Sequence, residues 1–322
     1  MRTSRYIVVA VIVLLASIQL YAQVNDTYVI PVSANVPGDR GTVWATELNV
    51  FNPQSYPLNV SAVFLPTLSG QSLEVNFKVE ANSNAFTPNV LPDLFGRTGT
   101  GALLLAVFPE DNPGVSNDIL SRSILVNSKT FNNSSTGTYG QFVPGIWTGL
   151  LDFEVDQISA IAHGVRNSAA SGYRTNVGAA NLGRTTAILR VTVYDAVGRK
   201  VADRTPFTLP FYAHLQQPLP VNVDRGSVEF FLDDPSGEAV VFPYVSIIDN
   251  RSGDAIYISP ILLASPSVLY KYGTASQDPG KKIDIGLARK VAAQAKKLGE
   301  ARLLVDEDGN YRLRRNGPKL GR

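Results

Sequence analysis

The side chains that most often carry chemistry are scarce. The 322 residues include two histidines, His163 and His214, and no cysteine. Without cysteine there is no thiol nucleophile, Cys-ligated zinc site, iron–sulfur cluster or disulfide framework. His163 follows the apolar run Ile158-Ser-Ala-Ile-Ala162, and His214 lies in Phe211-Tyr-Ala-His-Leu215; both are strand contexts. Neither has the second histidine at i+2 or i+4 that a zinc site would use. Each is expected to be structural, at a sheet edge or satisfied by neighbours. There is no Gly-x-Ser-x-Gly elbow, and no Gly-rich loop passes from a strand into a helix, so neither a serine hydrolase nor a nucleotide site is supported.

Calcium needs only oxygen ligands, which acidic turns could supply. Asp306-Glu-Asp-Gly-Asn310 imitates the start of a calcium loop. The sixth place, which needs Gly, is Tyr311, and the twelfth, which needs Glu, is Gly317. A hairpin turn explains it better. Asp233, Asp234 and Glu238, and likewise Asp249 and Asp254, stand among Gly, Pro and Ser and read as turn acids. Aromatic rings could stack on sugars. Tyr56, Tyr139, Trp147, Tyr173 and Tyr212 are the candidates, with core or interface packing as the competing use. No catalytic, cofactor-binding or metal-binding residue is assigned, and no cofactor is expected.

The elements that would hold these residues are strands. Leu58–Phe64, Ser72–Val79 and Leu189–Tyr194 alternate with period 2, as half-buried strands do. Breakers such as Asn52-Pro53, Ser69-Gly70, Val197-Gly198 and Arg251-Ser-Gly-Asp254 separate the runs. Val29–Pro66 aligns without gaps to Ile158–Asp195 at a spacing of 129, which sets Trp44 on Tyr173 and Asn52 on Asn181. Gly101–Leu104 then matches Gly226–Glu229, and Ser123–Asn127 matches Ser246–Asn250. The expected fold is all-β: two tandem Ig-like antiparallel sandwiches, over 23–150 and 151–275, the second a repeat of the first. A basic segment over 276–322 is expected to hold a helix near 285–298 and a hairpin joining Arg302–Val305 to Tyr311–Arg314.

Residues 1–22 have the form of a secretory signal: Arg2 and Arg5, an apolar run from Tyr6 to Leu20, then Ala22. Export to the cell envelope, the periplasm or the exterior is expected. Residues 281–322 carry 12 Lys and Arg against 5 Asp and Glu, a net of +7. Setting Arg2 and Arg5 aside, residues 23–280 hold 15 basic and 22 acidic side chains, a net of −7. The overall +2 therefore describes neither part, and no nucleic-acid partner is expected. The basic tail should dock marginally on the second sandwich, with weak contact to an anionic surface as its other use.

Tyr28-Val-Ile-Pro31, Trp44–Pro53, Thr138–Pro144, Arg174–Gly178 and Asp249–Gly253 resemble a group of uncharacterised secreted bacterial tandem Ig-like β-sandwich proteins. The resemblance spans roughly 27–262. It implies fold and export, and no site residues, because the group has no assigned activity. The function expected is that of an exported non-enzymatic module with a structural, adhesive or scaffolding role and an extracellular protein or glycan as partner. A glycan-binding module of a polysaccharide or cell-wall system is the alternative, favoured by a planar row of exposed aromatics. An enzyme using carboxylates alone comes third.

Overall fold

The computed structural model describes residues 26–38, 41–134, 137–148, 158–234, 239–264, 303–305 and 311–313. They are almost entirely antiparallel β. The first nine strands are β1 (Thr27–Pro37), β2 (Val43–Asn52), β3 (Leu58–Pro66), β4 (Leu73–Val79), β5 (Ser83–Thr87), β6 (Gly99–Ala106), β7 (Leu125–Ser134), β8 (Gly137–Pro144) and β9 (Ile146–Trp147). A short helix, α1 (Val90–Phe95), precedes β6 and ends on Gly96 at φ 61, a left-handed cap. The next nine are β10 (Ile158–Asn167), β11 (Tyr173–Asn181), β12 (Ala187–Tyr194), β13 (Lys200–Leu209), β14 (Ala213–Pro218), β15 (Val223–Asp233), β16 (Val241–Asp249), β17 (Ala255–Ile258) and β18 (Ile261–Ala264).

Two sheets form in each set. Sheet A is β5-β2-β7-β8 and sheet B is β4-β3-β6-β1-β9, with the end of β1 joining β2 at Val36 and Trp44. Sheet C is β14-β11-β16-β17 and sheet D is β13-β12-β15-β10-β18. Strand for strand the order is the same. Turns agree as well: Asn82 before β5 and Tyr212 before β14 both take left-handed conformations, φ 48 and 49.

Three apolar layers separate the four sheets. Leu48, Val50, Val60, Phe64, Leu103 and Leu105 fill the space between A and B. Val177, Val191, Val228, Phe230, Val245 and Ile247 fill that between C and D. The third layer lies between B and C, where Val29, Leu65, Ala102 and Leu104 meet Ala180 and Phe242. Sheet B is thus buried on both faces. This is why Ala102–Val107 is apolar at every position, whereas β15 alternates Val228, Phe230 and Leu232 with Ser227, Glu229 and Asp233.

The register corrects two expected alignments. Val36 faces Trp44 and Ser168 faces Tyr173, so β1 and β10 correspond at a spacing of 132 while β2 and β11 keep 129. The first hairpin is three residues longer. Burial on both faces leaves β1 without the alternation that would have exposed the shift, and a bulge between Ile30 and Ser33 adds to it. Ser123–Asn127 does not match Ser246–Asn250. Phe51 faces Leu125 and Ala180 faces Phe242, which sets β7 on β16 at 117 rather than the expected 123. That slip is an even number of residues, so it keeps every side chain on its face, and periodicity cannot detect it.

Leu303–Val305 (β19) pairs with Tyr311–Leu313 (β20), the hairpin expected there. The expected helix near 285–298, residues 1–25 and the acids of 306–310 lie outside the described residues. No helix among the described residues is long and apolar enough to cross a membrane.

Candidate functional site

Inside each set, one asparagine closes the same loop. Asn52 at the end of β2 donates to the carbonyls of Tyr56 (2.8 Å), Val79 (3.2 Å) and Glu80 (3.2 Å), and accepts from the Gln54 N–H (2.9 Å). Asn181 at the end of β11 donates to Thr185 O (2.9 Å) and Pro210 O (3.2 Å), and accepts from Gly183 N–H (2.8 Å). Both are fully buried. A buried carboxamide satisfies backbone groups that a turn leaves open, and this is its use at both places.

A polar chain crosses the seam between B and C. Thr67 at the end of β3 and His214 in β14 lie side by side as a parallel bridge, and Leu68 N–H donates to His214 O (2.8 Å). Tyr244 Oη donates to Gln216 Oε1 (2.7 Å). His214 Nε2 is hydrogen-bonded to Tyr244 Oη at 2.8 Å and Nδ1 to Thr67 Oγ1 at 2.7 Å. Thr67 Oγ1 also donates to Thr100 O (2.9 Å). Thr100 Oγ1, 2.7 Å from Thr67 Oγ1, completes the chain. Burial pushes the His214 pKa down to about 3 and the Tyr244 phenol up. The imidazole is neutral, saturated with hydrogen bonds and closed to solvent. It is a packing histidine.

Gly178 is the residue that lets Tyr244 reach His214. It faces both Gln216 and Tyr244 across the sheet, and a Cβ there would overlap the phenol. Further along the seam Ser246 Oγ donates to Gln141 Oε1 (2.9 Å), Asn132 Nδ2 donates to Gly253 O (3.0 Å), and Asp254 accepts from Gly140 N–H (3.2 Å).

A second buried polar feature has no counterpart among the described residues of the second set. Arg122 is fully buried in the connection between β6 and β7. Its guanidinium donates to Asn117 O (2.6 Å) and lies 3.4 Å from the Asp26 carboxylate. Asp26 also accepts from Thr27 Oγ1 (3.2 Å), and its carbonyl accepts from Val107 N–H (2.8 Å). The pair ties the residue before β1 to the long connection.

The residues singled out from sequence fall into structural places. His163 is exposed in β10, opposite Ser227. Asp233 holds Arg190 through two nitrogens, at 2.8 and 2.6 Å. Asp234 accepts from Ala239 N–H (2.6 Å) and Asp249 from Arg251 N–H (2.8 Å), as turn acids do. Tyr56 Oη donates to Ser121 O (2.8 Å), and the Arg166 guanidinium lies 5.1 Å from the Tyr173 ring. Tyr139, Trp147 and Tyr212 are half-buried, and Trp147 and Tyr212 pack against apolar clusters. No group of three or more His, Cys, Asp or Glu among the described residues could hold a metal.

What the sequence reasoning missed lies on the outward face of sheet A. Phe86 is 55% exposed and Phe142 61%, with Leu125 and Val43 open beside them. Phenylalanine carries no polar group that would mark it as surface-bound in the sequence. The available signal was parity: Phe86 and Phe142 alternate with the inward residues Ala85 and Val143.

No family model matches the chain, and no curated sequence does. Among solved structures, the crystal structure of Thermotoga maritima 1070 is similar at 11% identity and TM-score 0.29, over 39% of this chain and 96% of that one. An exo-chitosanase of Amycolatopsis orientalis in complex with PNP-beta-D-glucosamine is similar at 14% identity and TM-score 0.13, over 71% of this chain and 26% of that one. Likenesses this low decide neither fold nor function.

Proposed function

We propose that the chain is an exported, non-enzymatic module that acts by its surface at the cell envelope or outside it, in a structural, adhesive or scaffolding role. Its two Ig-like sandwiches, near 23–150 and 151–275, are proposed to derive from one by duplication; the shared strand order and the Asn52 and Asn181 clamps support this. One observation carries the reading. The buried histidine, together with two tyrosines, is taken up by hydrogen bonds and ring contacts at a seam between sheets B and C. Sheets joined in this way leave their outer faces for contact, which suits a surface role. The basic tail adds weak attraction to anionic surfaces.

The test uses the full chain expressed in its native cell and then mixed with that cell's envelopes. Export and envelope binding are expected, unchanged by His163→Asn. Retention in the cytoplasm would overturn the export half. Lost function in a folded His163→Asn protein would overturn the non-enzymatic half.

A further inference from the structure

The outward face of sheet A is the counterpart of the seam face of sheet C. By register, Phe86, Asn127 and Phe142 stand where sheet C has Gln216, Tyr244 and Tyr257. In sheet C that face is closed by sheet B; in sheet A no described residue closes it. Phe86, Phe142 and Leu125 stand exposed on it, and exposed apolar side chains gathered on one face suit a binding surface.

The arrangement on it is ordered. Glu47 faces Lys129, and Asn49 faces Asn127, across the two central strands. Phe51 and Phe86 are diagonal neighbours on one side of this polar centre. Phe131 and Phe142 are diagonal neighbours on the other, with the Lys129 ammonium 5.4 Å from the Phe131 ring. From strand spacing and rise, the two aromatic pairs are about 17 Å apart. Asn84 Nδ2 donates to Asn49 Oδ1 (3.2 Å), which orients the central amide.

We propose that this face binds an uncharged polysaccharide, the aromatic pairs stacking on ring faces and the central amides bonding hydroxyls; the proposal rests on the surface role given above. Three observations select this occupant. First, protein interfaces have an apolar core and a polar rim, and here the centre is polar and the flanks aromatic. Second, a head-to-tail copy would have to offer sheet D, which corresponds to sheet B. Where sheet B has Leu65, Ala102 and Leu104, sheet D has Tyr194, Ser227 and Glu229. Tyr194 Oη donates to Glu229 (2.7 Å), and Arg190 is paired with Asp233 beside it. Docking that face would bury these charges at a cost their attraction does not recover. Third, Glu47 and Lys129 cancel, so the strip attracts neither a polyanion nor a polycation.

Affinity electrophoresis of the full chain through gels containing hydroxyethylcellulose, galactomannan or xylan tests the proposal. At least one polymer is expected to retard the protein. Phe86→Ala with Phe142→Ala should weaken retardation at least tenfold, and Asn127→Ala several-fold. Val197→Ser, on an exposed turn elsewhere, should change nothing. Because the two phenylalanines are exposed, the double variant should keep its circular dichroism and melting; if it does not, Asn127→Ala alone decides. Absence of retardation by all three polymers, or retardation that survives the variants, overturns the assignment. So does a wild-type dimer that the double variant makes monomeric. Envelope binding without retardation overturns only this assignment; loss of both overturns the surface role as well.

Discussion

Asn52 and Asn181 close equivalent loops in the two sets of strands, whereas Asn84 and His214, which also occupy equal places, make unlike bonds. The first pair points inward and serves a loop of its own sandwich. The second pair points outward, and its surroundings differ: His214 meets Thr67 of the other sandwich, while Asn84 meets solvent and Asn49. Inward positions answer to local backbone needs, which the two sandwiches share. Outward positions answer to the neighbour: this face of sheet C meets sheet B, while no described residue closes the equal face of sheet A.

Removing the inward asparagine gives the largest expected effect. Asn52→Ala and Asn181→Ala each strand two or more buried backbone groups, at about 1–3 kcal/mol per group before relaxation. A loss of about 3–4 kcal/mol is expected from either, measured by urea unfolding. Equal losses sharpen the comparison; a negligible loss at one position breaks it.

The seam should respond to acid where sheet A does not. His214 is neutral in the folded protein with a pKa near 3, against 6.5 in the unfolded chain. The unfolded chain therefore takes up the proton first. Stability falls as pH drops below 6.5 and levels off once pH passes below about 3. Between pH 6.5 and 4.5 the loss attributable to this group is about 2–3 kcal/mol. His214→Gln, which cannot be protonated there, should remove that slope; urea midpoints across pH would show an unchanged slope if the seam is not the cause.

The smallest expected effect separates the two faces. Gly178→Ala drives a Cβ into the Tyr244 phenol and should cost about 2 kcal/mol through strain at the seam. Asn49→Ala, at the equal place on the open face, should change stability by less than about 0.5 kcal/mol. Similar melting shifts for both would mean that sheet A is covered too.

The alternating strands Leu58–Phe64 and Leu189–Tyr194 and the turns that bound them were legible in the sequence. The double burial of β6 has a sequence signal as well, the continuous run Ala102–Val107 against the alternating β15, but the structure is what established it. The two slipped alignments were not legible, because an even slip at β7 and two-sided burial at β1 leave the apolar pattern unchanged. The burial of Arg122 has no sequence signal, since a charge in a connection rich in Pro, Gly, Ser and acids normally faces water.

The sequence by itself determined the all-β character and the faces of strands that alternate, such as Leu58–Phe64 and Leu189–Tyr194, because alternation and turn chemistry act over a few neighbours. Only the tertiary structure decided that sheet B packs on sheet C, that His214 is dry and neutral, and that Phe86 and Phe142 stand open around an amide centre. Those outcomes depend on which face meets which across separations of more than a hundred residues, as in the Thr67–His214 bond. Local periodicity assigns a side chain to a face, and packing between sheets decides what that face meets.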